Sequence, residues 1–477
     1  MPMSRLPRIV ILTVVGAVGV IVLVVAAVLF LVDASMYKTR LEAATSAALG
    51  MDFSVGGRVS LAFFPGVLVT LADVHIRRLG ADVATAKEAS LAIDLRPLLR
   101  KEARVRKIVL KHAMISIERG HDGRFNVEPA EADEADLPTL DWPNVSLSDA
   151  AFVYADKRLG RKFEAEGCRV DVHGLRLSGG RRATFMKDLL FTAELACGEF
   201  RSGGFTASDL KLSVDAKNGR LDLKPVTARV FGTQGSGSIQ AEFAGAAALY
   251  HVHCSLLQFP VEEFFKTMSM QNLATGRMDF SANLSLQGKA EKEIRQSATG
   301  QISLRGKTLT LSGTDLDREF ARFESSQNFN LVDVGAFFFA GPLGLVVTKG
   351  VNFASIAQGT GGSSEIRTLV SDWKVEHGVA QAQDVAMATK ENRIALQGGL
   401  DFVNNQFSDV TIALIDAKGC AKVRQRIRGS FQDPVVEQPS LLQSLAGPAL
   451  RLLKKGRDIL GGGECGVFYA GSVAAPK

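Results

Sequence analysis

Met278-Asp-Phe-Ser-Ala-Asn-Leu-Ser-Leu286 alternates apolar and polar residues without a break. Successive residues of a β-strand point to opposite faces. Met278, Phe280, Ala282, Leu284 and Leu286 therefore share one face, and Asp279, Ser281, Asn283 and Ser285 share the other. A helix would scatter these apolar residues around its circumference, so the stretch reads as a strand with one face to be covered. The same period returns at Leu210, Leu212 and Val214, at Leu221 and Leu223, at Ile302 and Leu304, and at Leu309 and Leu311. From about Asp52 onward period two dominates, and the expected fold class is mainly β.

Turn signals fall between the runs: Asn218-Gly219, Ser312-Gly313, His377-Gly378 and Gly398-Gly399. A weak unit, Gly-x-hydrophobic-x-hydrophobic, recurs at Gly219-Arg-Leu-Asp-Leu, Gly276-Arg-Met-Asp-Phe and Gly300-Gln-Ile-Ser-Leu. Repeated strand units predict a sheet that grows along one axis. Two segments break the rhythm and read as loops: acidic Glu128–Pro138 and glycine-rich Gln358–Ser364.

The ends differ from the middle. Ile9 to Val32 is an uncharged run of 24 residues, opened by Arg5 and Arg8 and closed by Asp33. At about 1.5 Å per residue it is long enough to cross a bilayer core as a helix. It exceeds a signal-peptide core, and Ala34-Ser35-Met36 is a poor cleavage site, so a retained anchor is expected, with residues 1–8 on the cytoplasmic side. Met36–Leu49 has helical composition, with Gly50 as a stop. Near the other end, Leu441, Leu442, Leu445, Leu450, Leu452 and Leu453 mix with Arg451, Lys454, Lys455 and Arg457. That pattern predicts a short amphipathic helix within 438–477, either capping the sheet or lying on an anionic membrane surface.

The chain of 477 residues carries a net charge of +6, small for its length and unconcentrated, which argues against a nucleic-acid reader. No phosphate loop, zinc-protease or nucleophile-elbow motif occurs, and Gly359-Thr-Gly-Gly lacks the lysine a phosphate loop needs. His251 and His253 share a strand face but lack a visible third metal ligand. The acid pairs Asp315/Asp317 and Glu262/Glu263 read as solvated surface. No catalytic residue, metal or cofactor is expected. Of the five cysteines, Cys168, Cys197, Cys254, Cys420 and Cys465, none forms a CxxC pair. Cys420 follows the last strand run and Cys465 lies in the tail; a bridge between them would pin the C-terminus, the alternative being free buried thiols.

Several segments are similar to a known family in a shared order. Helix 36–49 is followed by Phe53-Ser-Val-Gly-Gly, Val67-Leu-Val-Thr-Leu-Ala-Asp-Val-His-Ile, Ala89-Ser-Leu-Ala-Ile-Asp-Leu-Arg-Pro-Leu-Leu, Val105-Arg-Lys-Ile-Val-Leu and His121-Asp-Gly-Arg-Phe-Asn. Later come Gly219-Arg-Leu-Asp-Leu-Lys-Pro-Val-Thr-Ala-Arg-Val-Phe-Gly, Phe329-Asn-Leu-Val-Asp-Val-Gly-Ala, Ala340-Gly-Pro-Leu-Gly and Glu464-Cys-Gly-Val-Phe-Tyr-Ala-Gly-Ser-Val. This order resembles the AsmA family of bacterial envelope proteins. The resemblance implies a single-pass inner-membrane protein with its bulk in the periplasm. It also implies an elongated, curved antiparallel sheet forming an apolar groove, as in bridge-like lipid-transfer proteins. Residues 33–130 would be the N-terminal helix and strands, and 139–437 the repeated groove strands.

Family members are linked to phospholipid movement and outer-membrane assembly. Expected partners are therefore phospholipids, the inner membrane and outer-membrane or envelope proteins, with no nucleic acid. Leu210, Leu212, Val214, Leu221, Leu223, Met278, Phe280, Leu284, Leu286, Ile302 and Leu304 are the candidate groove residues; the alternative is that they face a protein core. The rival function is a structural or regulatory assembly factor that binds outer-membrane proteins at its strand edges.

Overall fold

The computed structural model describes residues 38–39, 42–43, 45–47, 51–62, 67–94, 105–127, 140–177, 185–203, 205–267, 273–326, 338, 361–438, 440–441 and 465–476. The expected membrane span at 9–32, the acidic segment 128–138 and the tail helix beyond Leu441 lie outside them. Among the described residues no helix is long and apolar enough to cross a membrane. The chain is mainly β and divides into two compact units. The first comprises Met1–Val230, Ser236–His251 and Gly288–Glu291; the second comprises Phe231–Gly235, Val252–Gln287 and Lys292–Lys477.

The first unit holds β1 (Asp52–Val55), β2 (Val59–Ala62), β3 (Val67–Arg78), β4 (Ala81–Ile93), β5 (Val105–Arg119), β6 (Leu140–Asp156), β7 (Arg161–Leu177), the short α1 (Phe185–Asp188), β8 (Leu189–Ser202), β9 (Phe205–Lys217) and β10 (Arg220–Val230). Strand β3 pairs with β1 and β2, and then with β4. The ladder continues through β5 to β10 in sequence order. One pair corrects the expectation of a wholly antiparallel sheet: β5 and β6 run parallel. Parallel neighbours cannot be joined by a tight turn, and the sequence between Arg119 and Leu140 is long enough for a crossover.

The tip of this parallel pair is locked. Arg119 and Asp156 face each other in register, both buried, with Arg119 Nη1 donating to Asp156 Oδ2 at 3.4 Å. At the other edge, Val55 N–H donates to Glu42 Oε1 and Phe53 N–H to Ser46 Oγ, both at 2.8 Å. Residues 42 and 46 lie four apart on the helical segment, so one face of it caps the free donors of β1 and blocks edge-to-edge pairing.

β11 (Thr233–Glu242) and β12 (Ala248–Pro260) are divided between the units. The second unit carries α2 (Val261–Thr267), β13 (Ala274–Gly288), α3 (Glu291–Ser297), β14 (Thr299–Ser312), α4 (Leu316–Ser326), β15 (Ser363–Glu376), β16 (Val379–Ala388), β17 (Arg393–Asp401), β18 (Gln406–Ile415), β19 (Ala421–Gly429), β20 (Pro434–Val436) and β21 (Ser440–Leu441). β13 to β19 pair antiparallel in sequence order, and β19 also takes β20 and β21.

Three segments depart from their sequence expectation. Gly398-Gly399 is no turn; it lies inside β17 at a bulge, where Gly398 has φ +108° and an added Cβ would sit 2.4 Å from the Asp409 carbonyl oxygen. Ser363 and Ser364 open β15 instead of extending a loop, because the buried Ser364 hydroxyl donates to Thr314 O (2.8 Å) and accepts from Leu316 N–H (2.6 Å). Leu441 pairs with Val423 in β21 and so belongs to the sheet, not to a tail helix.

The predicted hairpin signals at Asn218-Gly219 (φ +53°, +75°) and His377-Gly378 (φ +50°, +77°) are two-residue turns with both centres in the left-handed region, as the strand twist requires.

Candidate apolar binding face

β7 to β10 carry apolar residues on one face that changes phase within the strands. On β7, Phe163 and Ala165 precede Cys168, Val170 and Val172; on β8, Leu195 and Cys197 precede Phe200. Both shifts fall at the facing pair Gly167 (φ +61°) and Gly198, so the two strands change phase together and the face stays continuous. Cys168 and Cys197 are bridged on that face, with Cα atoms 4.0 Å apart. On β9, Leu210, Leu212 and Val214 pair with Cys197, Leu195 and Ala193. On β10, Leu223 pairs with Val214 and Leu221 with Ala216; beyond a bulge at Pro225, Val226 pairs with Leu212.

Burial grades across this unit. Residues on β3 to β5 such as Leu71, Leu91 and Ile108 are at most 1% exposed. Val170, Val172, Leu195, Leu210 and Leu221 pack against the same cluster but are only half-buried, as are Leu212, Val214 and Leu223. A half-covered apolar stripe spanning four strands remains in contact with solvent at a cost of roughly 25 cal/mol per Å². Its rim is aromatic. The Tyr154 and Phe163 rings lie 5.8 Å apart and those of Phe163 and Phe200 6.3 Å apart. Burial and the neighbouring Asp156 carboxylate push the Tyr154 phenol up to about 12, so it stays neutral as a hydrogen-bond donor to Asp156.

The other candidates are placed differently. Met278 and Leu304 are 0% exposed, and Phe280 and Ile302 are buried. Leu304 pairs with Ser371, whose hydroxyl donates at 2.8 Å to the carbonyl of fully buried Phe338, so this face is covered by protein. Leu284 and Leu286, toward the end of β13, are half-buried. Cys420 and Cys465 are bridged, with Cα atoms 6.0 Å apart. The sequence reading did not assign the Cys168–Cys197 bridge or the β7–β8 half of the apolar face. The signal was the phase slip at Gly167, which hides an alternation when one strand is scanned alone.

Little chemistry accompanies the face. His251 and His253 are exposed. Among the described residues no group of three side chains could hold a metal ion. Asp315 caps α4, accepting from Arg318 N–H at 3.1 Å, and Asp317 accepts from Asn392 Nδ2 at 2.8 Å and from the Thr389 hydroxyl. Both acids thus serve the fold, as partners of a helix end and a turn.

The half-covered apolar stripe thus runs across β7 to β10 of a sheet built from repeated strand units. The AsmA family profile matches residues 3–137 and 138–326, and the chain belongs to the AsmA family. No curated protein and no solved structure matches it.

Proposed function

We propose that this protein is a membrane-anchored, non-enzymatic lipid-binding protein of the bacterial envelope. Its bulk lies in the periplasm, and it takes part in phospholipid transport between the inner and outer membranes. The observation that carries the reading is the half-buried stripe of Val170, Val172, Leu195, Leu210, Leu212, Val214, Leu221 and Leu223. Acyl chains would complete its burial at about 0.8 kcal/mol per CH₂. Membership of the AsmA family supports it. So do two disulfides, which suit an oxidising compartment, and the uncharged run Ile9 to Val32.

The test is lipid loading. The full chain is purified in mild detergent, co-purifying lipids are identified by mass spectrometry, and the measurement is repeated on Leu212→Asp combined with Leu223→Asp. Both side chains are only half-buried, so the double variant is expected to fold and to lose most of its lipid. Absence of lipid from the wild type, or undiminished loading in the folded variant, would sink the proposal. Crosslinking to outer-membrane proteins in place of lipid would favour the assembly-factor reading.

A further inference from the structure

Leu79 is 98% exposed, at the tip of the β3–β4 hairpin. Its turn, Leu79-Gly80, has φ +50° and +79°, the same backbone as Asn218-Gly219 and His377-Gly378. That geometry favours Asn, Asp or Gly at its first centre and disfavours an aliphatic side chain at positive φ. Here leucine occupies the position while covering nothing, so neither backbone preference nor packing accounts for it.

A second leucine is presented beside it. β5 runs parallel to β6 and antiparallel to β4, so the β3–β4 and β6–β7 turns emerge at the same end of the first unit. The β6–β7 turn exposes Leu159 at 47%. This loop is held in place: Asp156 Oδ1 accepts from the N–H groups of Arg158 (2.9 Å) and Leu159 (3.1 Å), and its other oxygen meets buried Arg119.

Cations flank both leucines: Arg77, Arg78, Lys157, Arg158, Arg161 and Lys162. Asp82, Glu118 and Glu164 engage Arg77, Lys157 and Lys162. Arg78, Arg158 and Arg161 have no carboxylate partner among the described residues, so the tips stay cationic. The aromatic rim follows, since Phe163 lies three residues beyond Gly160, about 10 Å along the strand.

We infer that this end of the first unit docks on an anionic lipid bilayer, the two leucines dipping among the acyl chains, the arginines meeting phosphate headgroups and the rings lying at the interface. Separate single leucines suit a bilayer, which accepts each independently; a protein interface needs a contiguous apolar centre. Docking would set the aromatic end of the apolar face at a membrane, which deepens the lipid-binding proposal, but attachment and loading are read separately.

The experiment holds the full chain in zwitterionic nanodiscs and offers vesicles rich in phosphatidylglycerol or made of phosphatidylcholine alone, with co-flotation as the readout. Capture by the anionic vesicles only, falling as salt rises, is expected. Leu79→Asn with Leu159→Asn lowers capture about tenfold or more while the unfolding temperature holds or rises. Neutralising Arg78, Arg158 and Arg161 to Gln lowers it about 100-fold, some five-fold per cation. No capture of the wild type, or equal capture of wild type and variants, overturns docking. Lipid found by mass spectrometry in a folded variant that no longer floats leaves the apolar face intact and assigns the loss to the tips. A chain that floats yet carries no lipid overturns the binding face alone.

Discussion

β9–β10 in the first unit and β13–β14 in the second share one sequence pattern and meet opposite fates. Leu210, Leu212 and Val214 alternate with polar residues as cleanly as Met278, Phe280 and Ala282 do, yet the first three are half-buried and the second three are buried. The difference lies in what covers the strands. In the second unit Phe338 lies over the Leu304 face. The opposite face receives the C-terminal tail, where Phe468, Tyr469 and Val473 pack on Val370, Ala386, Ala395 and Ala413. Runs of four consecutive buried residues on β16, β17 and β18 are the mark of a sheet covered on both sides. β10 has no buried residue in its whole length. Alternation thus tells which side chains share a face, whereas coverage is supplied by segments far away in the chain.

The largest effect should come from placing one charge on each face. Leu304→Asp buries an unpaired carboxylate at a site with no exposure and should cost about 4 kcal/mol or more, enough to unfold the second unit. Leu212→Asp can turn its carboxylate to solvent and should cost about 1 kcal/mol or less while reducing lipid loading. Urea unfolding of the two single variants decides it; equal destabilisation would erase the distinction between the faces.

Next in size is the tail that makes the second unit different. Arg393 donates to the Val473 carbonyl and Gln397 to that of Phe468, at 2.8 and 2.6 Å, and the Cys420–Cys465 bridge closes the segment. Cys420→Ser with Cys465→Ser releases a loop with a sequence separation of 45 and should cost about 2–4 kcal/mol. Limited proteolysis should then cut near Phe468 first, and β16–β18 should gain hydrogen exchange while β7–β10 do not.

These features were unequally legible. The strands, the turns at Asn218-Gly219 and His377-Gly378 and the shared faces follow from period two and local backbone preference, which short stretches carry complete. Gly398-Gly399 misled because a glycine pair serves a bulge as well as a turn, and the choice depends on the facing strand, where Asp409 approaches. The parallel β5–β6 pair depends on the path of a long connection. Of the eleven candidate face residues, Met278, Phe280, Ile302 and Leu304 went to the protein core for the same reason: Phe338 is remote in sequence and nothing in Gly276-Arg-Met-Asp-Phe encodes it. Phe163 and Phe200 escaped notice because the phase slip at Gly167 and Gly198 makes sense only once the two strands are paired.

Acid should loosen the tail selectively, through Asp384. Burial raises this carboxylate, but hydrogen bonds from Ser472 and the Tyr469 hydroxyl outweigh burial and hold it below its ordinary value of 3.8. A depressed folded value means the contribution is complete above 3.8 and is lost as pH falls through the folded value. Tail protection measured by hydrogen exchange should therefore persist from neutral pH to about pH 4 and fall below it. Asp384→Asn should abolish that step. A pH-independent tail in the wild type would exclude Asp384 as its clasp.

The smallest effect returns to the first unit and concerns a turn in place of a face. Leu79 and Asn218 occupy the same position of the same turn geometry, and only the asparagine suits a positive φ. Leu79→Asn removes a side chain that touches water almost everywhere, so no packing is lost and the backbone preference is gained. Thermal stability should rise by a few tenths of a kcal/mol, up to about 1. The reverse change, Asn218→Leu, should lower it by a similar amount, and the pair of scans cancels effects on the unfolded chain. A drop with Leu79→Asn would mean that the leucine covers something in solution, and the case for a membrane ligand at that tip would lose its first premise.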